Sequence, residues 1–176
     1  TRLECRLFET GSSFEIGDIA VDTFSIPHDA QDPVGFLLRT TAGNIGFVTD
    51  LGHVTKLVLE RTRKANVLLL EANHDVKMLQ DCPRRPWSLK QRILGRHGHL
   101  SNDAAAEMVQ EIMSADLRHL YLGHLSRECN RPELAFGVVN EVVQIEADLI
   151  VFDADDVTHL RQVARLTVSR HPHHFV

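Results

Sequence analysis

The spacing of hydrophobic positions changes along this chain. In the first fifty residues it is two. Phe14 and Ile16, then Ile19 and Val21, alternate with polar residues on either side of Gly17-Asp18, which predicts a hairpin. The return strand runs to Ile26, where Pro27 stops it. An additional strand is expected over 3–9, although charges break its alternation. Residues 34–39 and 45–48 make a second pair around the turn Thr41-Ala42-Gly43-Asn44. Thr55 is placed to cap a helix with the partly apolar face Leu57, Val58, Arg61 and Thr62. The continuous apolar run 67–70 follows that helix and reads as a buried parallel strand. Residues 82–86 form an irregular basic loop, and 87–94 is a short amphipathic piece. A helix over 103–115, capped by Ser101 or Asn102, turns Ala104, Ala105, Met108, Val109, Ile112 and Met113 inward. Residues 117–122 are another buried strand. Pro132 opens a helix over 132–144, and 149–153 and 160–168 are late strands. Strands dominate the first half and alternate with helices in the second, the pattern of an α/β layered domain. With no repeat and no linker, 1–176 reads as one domain.

In such domains ligand sites gather outside the carboxyl ends of the strands. The stretch TDLGHVT (49–55) lies at such an end and carries Asp50. His28 follows the Pro27 stop, and His124 follows the strand 117–122. Two neutral imidazoles and an ionised carboxylate are what a divalent ion requires. Asp50 is read as a metal-bridging carboxylate, one oxygen to each of two ions. Each residue alone has an ordinary structural reading as a polar strand end; the three together carry the metal reading. Glu71 either orients a histidine or caps backbone N–H groups in the turn after its strand, with His74 and Asp75 just beyond. His97-Gly98-His99 resembles a bidentate metal pair, but no Asp-His follows it. Standing before a helix N-terminus, His99 is placed near a substrate phosphate or as proton donor to a leaving group; a surface loop histidine is the alternative. His53, His119 and His159 fit no pattern and are read as structural.

Composition narrows the classes. A formal net charge of -5 argues against holding nucleic acid by bulk charge. The basic stretch Arg84, Arg85, Lys90, Arg92 and Arg96 can still meet phosphate locally, or simply be a solvated face. No apolar run is long enough to span a membrane, and no leader segment is visible. Cys5, Cys82 and Cys129 form no CxxC, which fits free or structural thiols in a reducing, cytoplasmic setting. Of the eleven histidines, three fall in the last six residues.

Taken together, IPHDAQDPVGF (26–36), TDLGHVT (49–55), LLLEANHD (68–75), LKQRILGRHGHLSN (89–102) and YLGHLSRECN (121–130) resemble the metallo-β-lactamase-fold hydrolases, within them the WalJ/YycJ-type exonuclease subfamily. The resemblance implies a four-layer αβ/βα sandwich with two divalent ions, zinc or manganese. It implies His28, Asp50 and His124 as metal ligands, and Glu71 with His74 as a pair supporting catalysis. It gives His99 the proton-donor role and a nucleic-acid phosphodiester as substrate. The family's HxHxDH cluster is absent from these 176 residues. The chain is therefore expected to be the C-terminal two-thirds of such a domain, completed by an N-terminal part carrying HxHxDH, and by itself to hold at most one ion weakly. A homodimer is a further expectation. Hydrolysis of a thioester or another carbonyl ester is the alternative chemistry. An inactive remnant that binds a partner is the alternative without catalysis.

Overall fold

The computed structural model describes residues 5–113, 116–143 and 147–152. Seven strands form one sheet in sequence order. β1 (Ser13–Ile16), β2 (Ile19–Ser25), β3 (Val34–Thr40) and β4 (Gly43–Val48) run antiparallel as two successive hairpins, as the alternation predicts. β4, β5 (Val67–Glu71), β6 (His119–Gly123) and β7 (Asp148–Val151) are parallel. Crossovers supply α1 (Lys56–Thr62), then α2 (Val76–Asp81), α3 (Trp87–Leu94) and α4 (Asn102–Ile112), and finally α5 (Pro132–Asn140).

The helix starts follow from local chemistry. The Thr55 hydroxyl accepts from the Val58 N–H at 3.3 Å, and the Ser101 hydroxyl from Ala104 N–H at 3.2 Å. Asp75 does the same for Met78 N–H at 2.7 Å and so starts α2, a helix the periodicity does not predict. With only six residues and one buried side chain, Leu79, α2 carries no periodic signal. The strand expected over 3–9 is not formed in its described part: residues 5–9 are irregular, and Leu7 is fully exposed. The helix expected over 132–144 ends at Asn140. Residues 114–115, Gln144, Asp153, the expected strand 160–168, and His159 and the tail histidines lie outside the described residues.

The two faces of the sheet differ. One carries Val48, Leu68, Leu70, Leu120, Leu122, Leu149 and Val151, all buried in one core with Val58, Ala105, Met108, Val109, Ile112, Ala135 and Val139 from α1, α4 and α5. The other carries a row set by the register Phe36–Phe47–Leu69–Tyr121–Ile150. These side chains are half-buried or exposed, and Phe47 is 38 % exposed. Tyr121 and Phe152 stack at 5.5 Å, and Phe8 packs its ring near Phe14 and Phe36. Among the described residues no helix covers this face. One sheet under one helix layer is an αβ half of the expected αβ/βα sandwich. No described helix is long and apolar enough to cross a membrane. Cys82 and Cys129 are buried free thiols under α2 and α3, and Cys5 is exposed.

The difference between faces can be measured. Leu70→Ala should destabilise the chain by about 2–5 kcal/mol through a cavity in the packed core, and Leu69→Ala by less than about 1 kcal/mol, because its side chain is already half in water. Urea unfolding of both variants checks this; equal losses would mean the two faces are equally packed.

Candidate metal centre

β4, β5 and β6 are adjacent and parallel, so their carboxyl ends stand side by side. Each delivers one chemical group there: Asp50 just past β4, Glu71 as the last residue of β5, His124 just past β6. Asp50 (φ 56°) and His124 (φ 57°) are the two non-glycine residues in the left-handed region among those described. That conformation costs an L-residue about 1–2 kcal/mol. Such outliers cluster at working sites.

Glu71, between them, is fully buried. Its Oε2 accepts the Leu51 N–H at 2.6 Å, and its Oε1 faces Nδ1 of both His99 (2.7 Å) and His124 (3.0 Å). Burial pushes its pKa up, but the hydrogen bonds from His124, His99 and Leu51 outweigh it and hold the carboxyl below its usual range. The same bond from Glu71 leads the causes that raise the His124 pKa. With Nδ1 of each ring donating to Glu71, each Nε2 is left as the ligating or proton-carrying nitrogen. Glu71 thus faces two histidines, while the backbone N–H it receives is that of Leu51 after β4, not one in the turn after its own strand.

The fourth group arrives from the β2–β3 loop. His28 Nδ1 donates to the Gly98 carbonyl at 2.9 Å, across 70 residues of sequence. Asp29 N–H donates to His97 O, and Gly52 N–H to Pro27 O. Two close approaches permit this. A Cβ on Gly52 would meet Arg96 O at 2.3 Å, and one on Gly98 would meet Ile93 O at 2.1 Å. Asp50 Oδ1 then lies 3.7 Å from His28 Nε2 and 3.8 Å from His124 Nδ1. Donor atoms of His28, Asp50 and His99 lie within 4.8 Å of one another, and so do those of Glu71, His99 and His124. Imidazole and carboxylate donors in this set suit a divalent ion. His99 stands in both groups, its ring 5.0 Å from that of His28 and 5.2 Å from that of His124.

The expected site residues therefore gather, His74 excepted, but the expected ligand trio His28, Asp50 and His124 is neither of these two groups, and His99 is in both. His74 is 1 % exposed, and neither ring nitrogen has a hydrogen-bond partner among the described residues. It bridges in parallel to Ser101, and its carbonyl receives the Asn102 N–H. His53 donates from Nδ1 to Arg96 O at 2.9 Å and so ties the 95–101 loop, in keeping with a structural reading. The basic stretch divides. Lys90 is buried against Gln80 O and Arg96 holds His53, while Arg85 and Arg92 line a cleft of about 540 Å³ beside His28, His99 and His124.

Residues that carried no functional signal support this floor. Asn73 Nδ2 donates to His124 O at 2.8 Å. Asn130 donates to Ala72 O at 2.7 Å and exchanges amide bonds with Asn102 at 2.8 and 3.0 Å. Their sequence signals are structural ones: Asn102 as a candidate helix cap, Asn130 just ahead of the helix that Pro132 opens, and Asn73 past the end of an apolar run.

Burial, ahead of the opposing charge of Glu71, pushes the His74 pKa down from 6.5 to about 4. Between those values the unfolded chain binds more protons than the folded one, so stability is full above pH 6.5 and falls as pH drops through the window. The loss is on the order of 3 kcal/mol at 1.36 kcal/mol per pKa unit. His74→Leu should remove that part of the acid sensitivity. Urea unfolding from pH 7 to 4 compares the two proteins; parallel curves would show that His74 is not the group responsible.

Known proteins converge on the same fold. Exodeoxyribonuclease YycJ of Bacillus anthracis is 36 % identical over 138 residues, 78 % of this chain and 52 % of that protein. Exodeoxyribonuclease WalJ of Streptococcus pneumoniae is 35 % identical over 164 residues, 89 % of this chain and 61 % of the relative. The chain thus spans a little over half the length of these curated relatives. Among solved structures, the metallo-beta-lactamase fold protein YhfI from Bacillus subtilis superposes with a TM-score of 0.60 at 12 % identity, over 83 % of this chain and 52 % of its own. Zn(2+)-bound PqqB from Methylobacterium extorquens gives 0.56 at 16 %, over 80 % and 49 %. Residues 1–125 match the beta-lactamase superfamily domain, and the chain belongs to that family.

Proposed function

We propose that this chain is the larger part of a metal-dependent phosphodiesterase acting on nucleic acid in the manner of an exonuclease. The observation that carries the reading is Asp50 Oδ1, 3.7 Å from His28 Nε2 and beside the His124 ring, on a residue held in a left-handed conformation. His28, Asp50 and His124 would hold the metal, with Asp50 able to offer one oxygen to each of two ions. Bound there, a divalent ion supplies Lewis-acid charge to a phosphoryl oxygen and lowers the pKa of a water. Glu71 fixes the rings of His99 and His124 from behind. His99, its Nδ1 occupied by Glu71, presents Nε2 to the cleft and delivers a proton to the departing oxygen. His74 supports the Glu71 side from within the core. Arginines on the cleft wall favour a nucleic-acid strand, with its row of phosphates, over the thioester or carbonyl-ester alternative.

The half-covered apolar sheet face supports the expectation of a further part. Parallel strands occur with both faces covered, and the row Phe36–Phe47–Leu69–Tyr121–Ile150 offers a second sheet a seat. A preceding segment carrying HxHxDH would cover it and complete the ligands. The relatives' names, exodeoxyribonuclease in each case, support the substrate class.

In the whole protein, Asp50→Ala should lose both bound metal and activity. His99→Ala should keep the metal and lose roughly 10²–10⁴-fold in rate, less on a substrate with a good leaving group. Metal content and turnover on two leaving groups separate the roles. Loss of metal from His99→Ala would make His99 a ligand. Full activity in Asp50→Ala would end the reading. On a matched panel with added Mn²⁺ or Zn²⁺, DNA or RNA ends should be degraded faster than thioesters or β-lactams; a thioester preferred over every nucleic acid would replace the phosphodiester with the carbonyl alternative.

A further inference from the structure

The cleft beside the histidines is walled by α3, through Leu89, Arg92 and Ile93, and by two loops, 82–86 after α2 and 124–131 after β6. Arg85 belongs to the first, yet its side chain is only 23 % exposed. Its Nε donates to Glu128 Oε2 at 3.3 Å and its Nη2 to Ser126 Oγ at 3.2 Å. Arg84 takes the other oxygen of the same carboxylate at 3.2 Å, but its side chain is 77 % exposed. Glu128 thus holds one arginine outward and one inward. The holding loop is fixed in turn: Ser126 N–H donates to Asn73 O at 2.7 Å, and Asn73 Nδ2 donates to His124 O at 2.8 Å. The Arg85 guanidinium is therefore set at a defined place relative to His124, a metal ligand in the reading above.

A guanidinium carries five N–H donors in a plane, matched to phosphate geometry. The contacts to Glu128 and Ser126 use two of them. Arg85 lines the same cleft as His28, His99 and His124. In the reading above the imidazole–carboxylate floor takes one phosphoryl group, and Arg85 reaches the same cleft from a different loop. We propose that Arg85, steadied by Glu128 and Ser126, binds a second phosphate of the substrate strand. The preferred substrate then carries at least two phosphates along one backbone, and a lone phosphodiester is a poor one. This rests on the phosphodiesterase reading above.

The test compares the whole protein with its Arg85→Gln variant on a single-stranded DNA oligonucleotide and on bis(p-nitrophenyl) phosphate, which has one phosphate. On the oligonucleotide, KM should rise at least tenfold, with kcat within twofold and the slope of log KM against log salt smaller by about one. On bis(p-nitrophenyl) phosphate, kcat/KM should stay within twofold. Arg85→Lys should recover part of the oligonucleotide KM as a point charge. Equal losses on both substrates, or an unchanged oligonucleotide KM, would overturn the assignment. If the wild-type protein hydrolyses neither substrate, the phosphodiesterase reading itself fails. Anisotropy of a fluorescent oligonucleotide then still decides Arg85: a tenfold weaker, less salt-dependent complex with the variant upholds it, and equal affinity overturns it.

Discussion

A carboxylate taken out of water is costly unless its oxygens are met by donors. The Glu71 carboxylate is fully buried, and the three N–H groups that meet it come from segments far apart in the chain: Leu51 after β4, His99 before α4 and His124 after β6. The fold compensates this charge only when those segments are together. Conversely, the segments are oriented only because the charge is there. A glutamine in its place would turn N–H groups toward groups that already donate. Stability and site geometry are therefore one problem at this position.

Around that centre, rigidity is spread through uncharged contacts. The Asn102–Asn130 amide pair ties the start of α4 to the approach to α5 and, through Ala72 O, to the end of β5. Gly52 and Gly98 let three loops touch backbone to backbone, which sets His28 across Asp50 and His99 from His124. Strand ends give approximate positions, and these short-range bonds refine them to the accuracy that metal ligation needs.

Much of this was legible in the sequence because it is local. Alternation around Gly17-Asp18 and around Thr41–Asn44 marks the hairpins, and apolar runs followed by polar punctuation mark the ends where Asp50, Glu71 and His124 stand. The capping hydroxyls of Thr55 and Ser101 could be read the same way. What could not be read is long in range or short in length. The His28–Gly98 bond spans 70 residues, and its warrant is the absence of a Cβ, which a sequence shows only as one glycine among ten. α2 is too brief to repeat. His74 stands beside recognisable chemistry, yet its burial follows from the bridge to Ser101, which no spacing announces.

The left-handed backbones of Asp50 and His124 carry a different kind of information. Glycine would adopt either conformation without the steric cost that aspartate and histidine bear there. A chain drifting free of any demand at these places has an easy mutational route to relief. Aspartate and histidine instead stand at both, one on each side of Glu71, and the strain falls on side chains able to offer ligand atoms. Steric strain thus coincides, on both sides of Glu71, with the side chains proposed to take the ion.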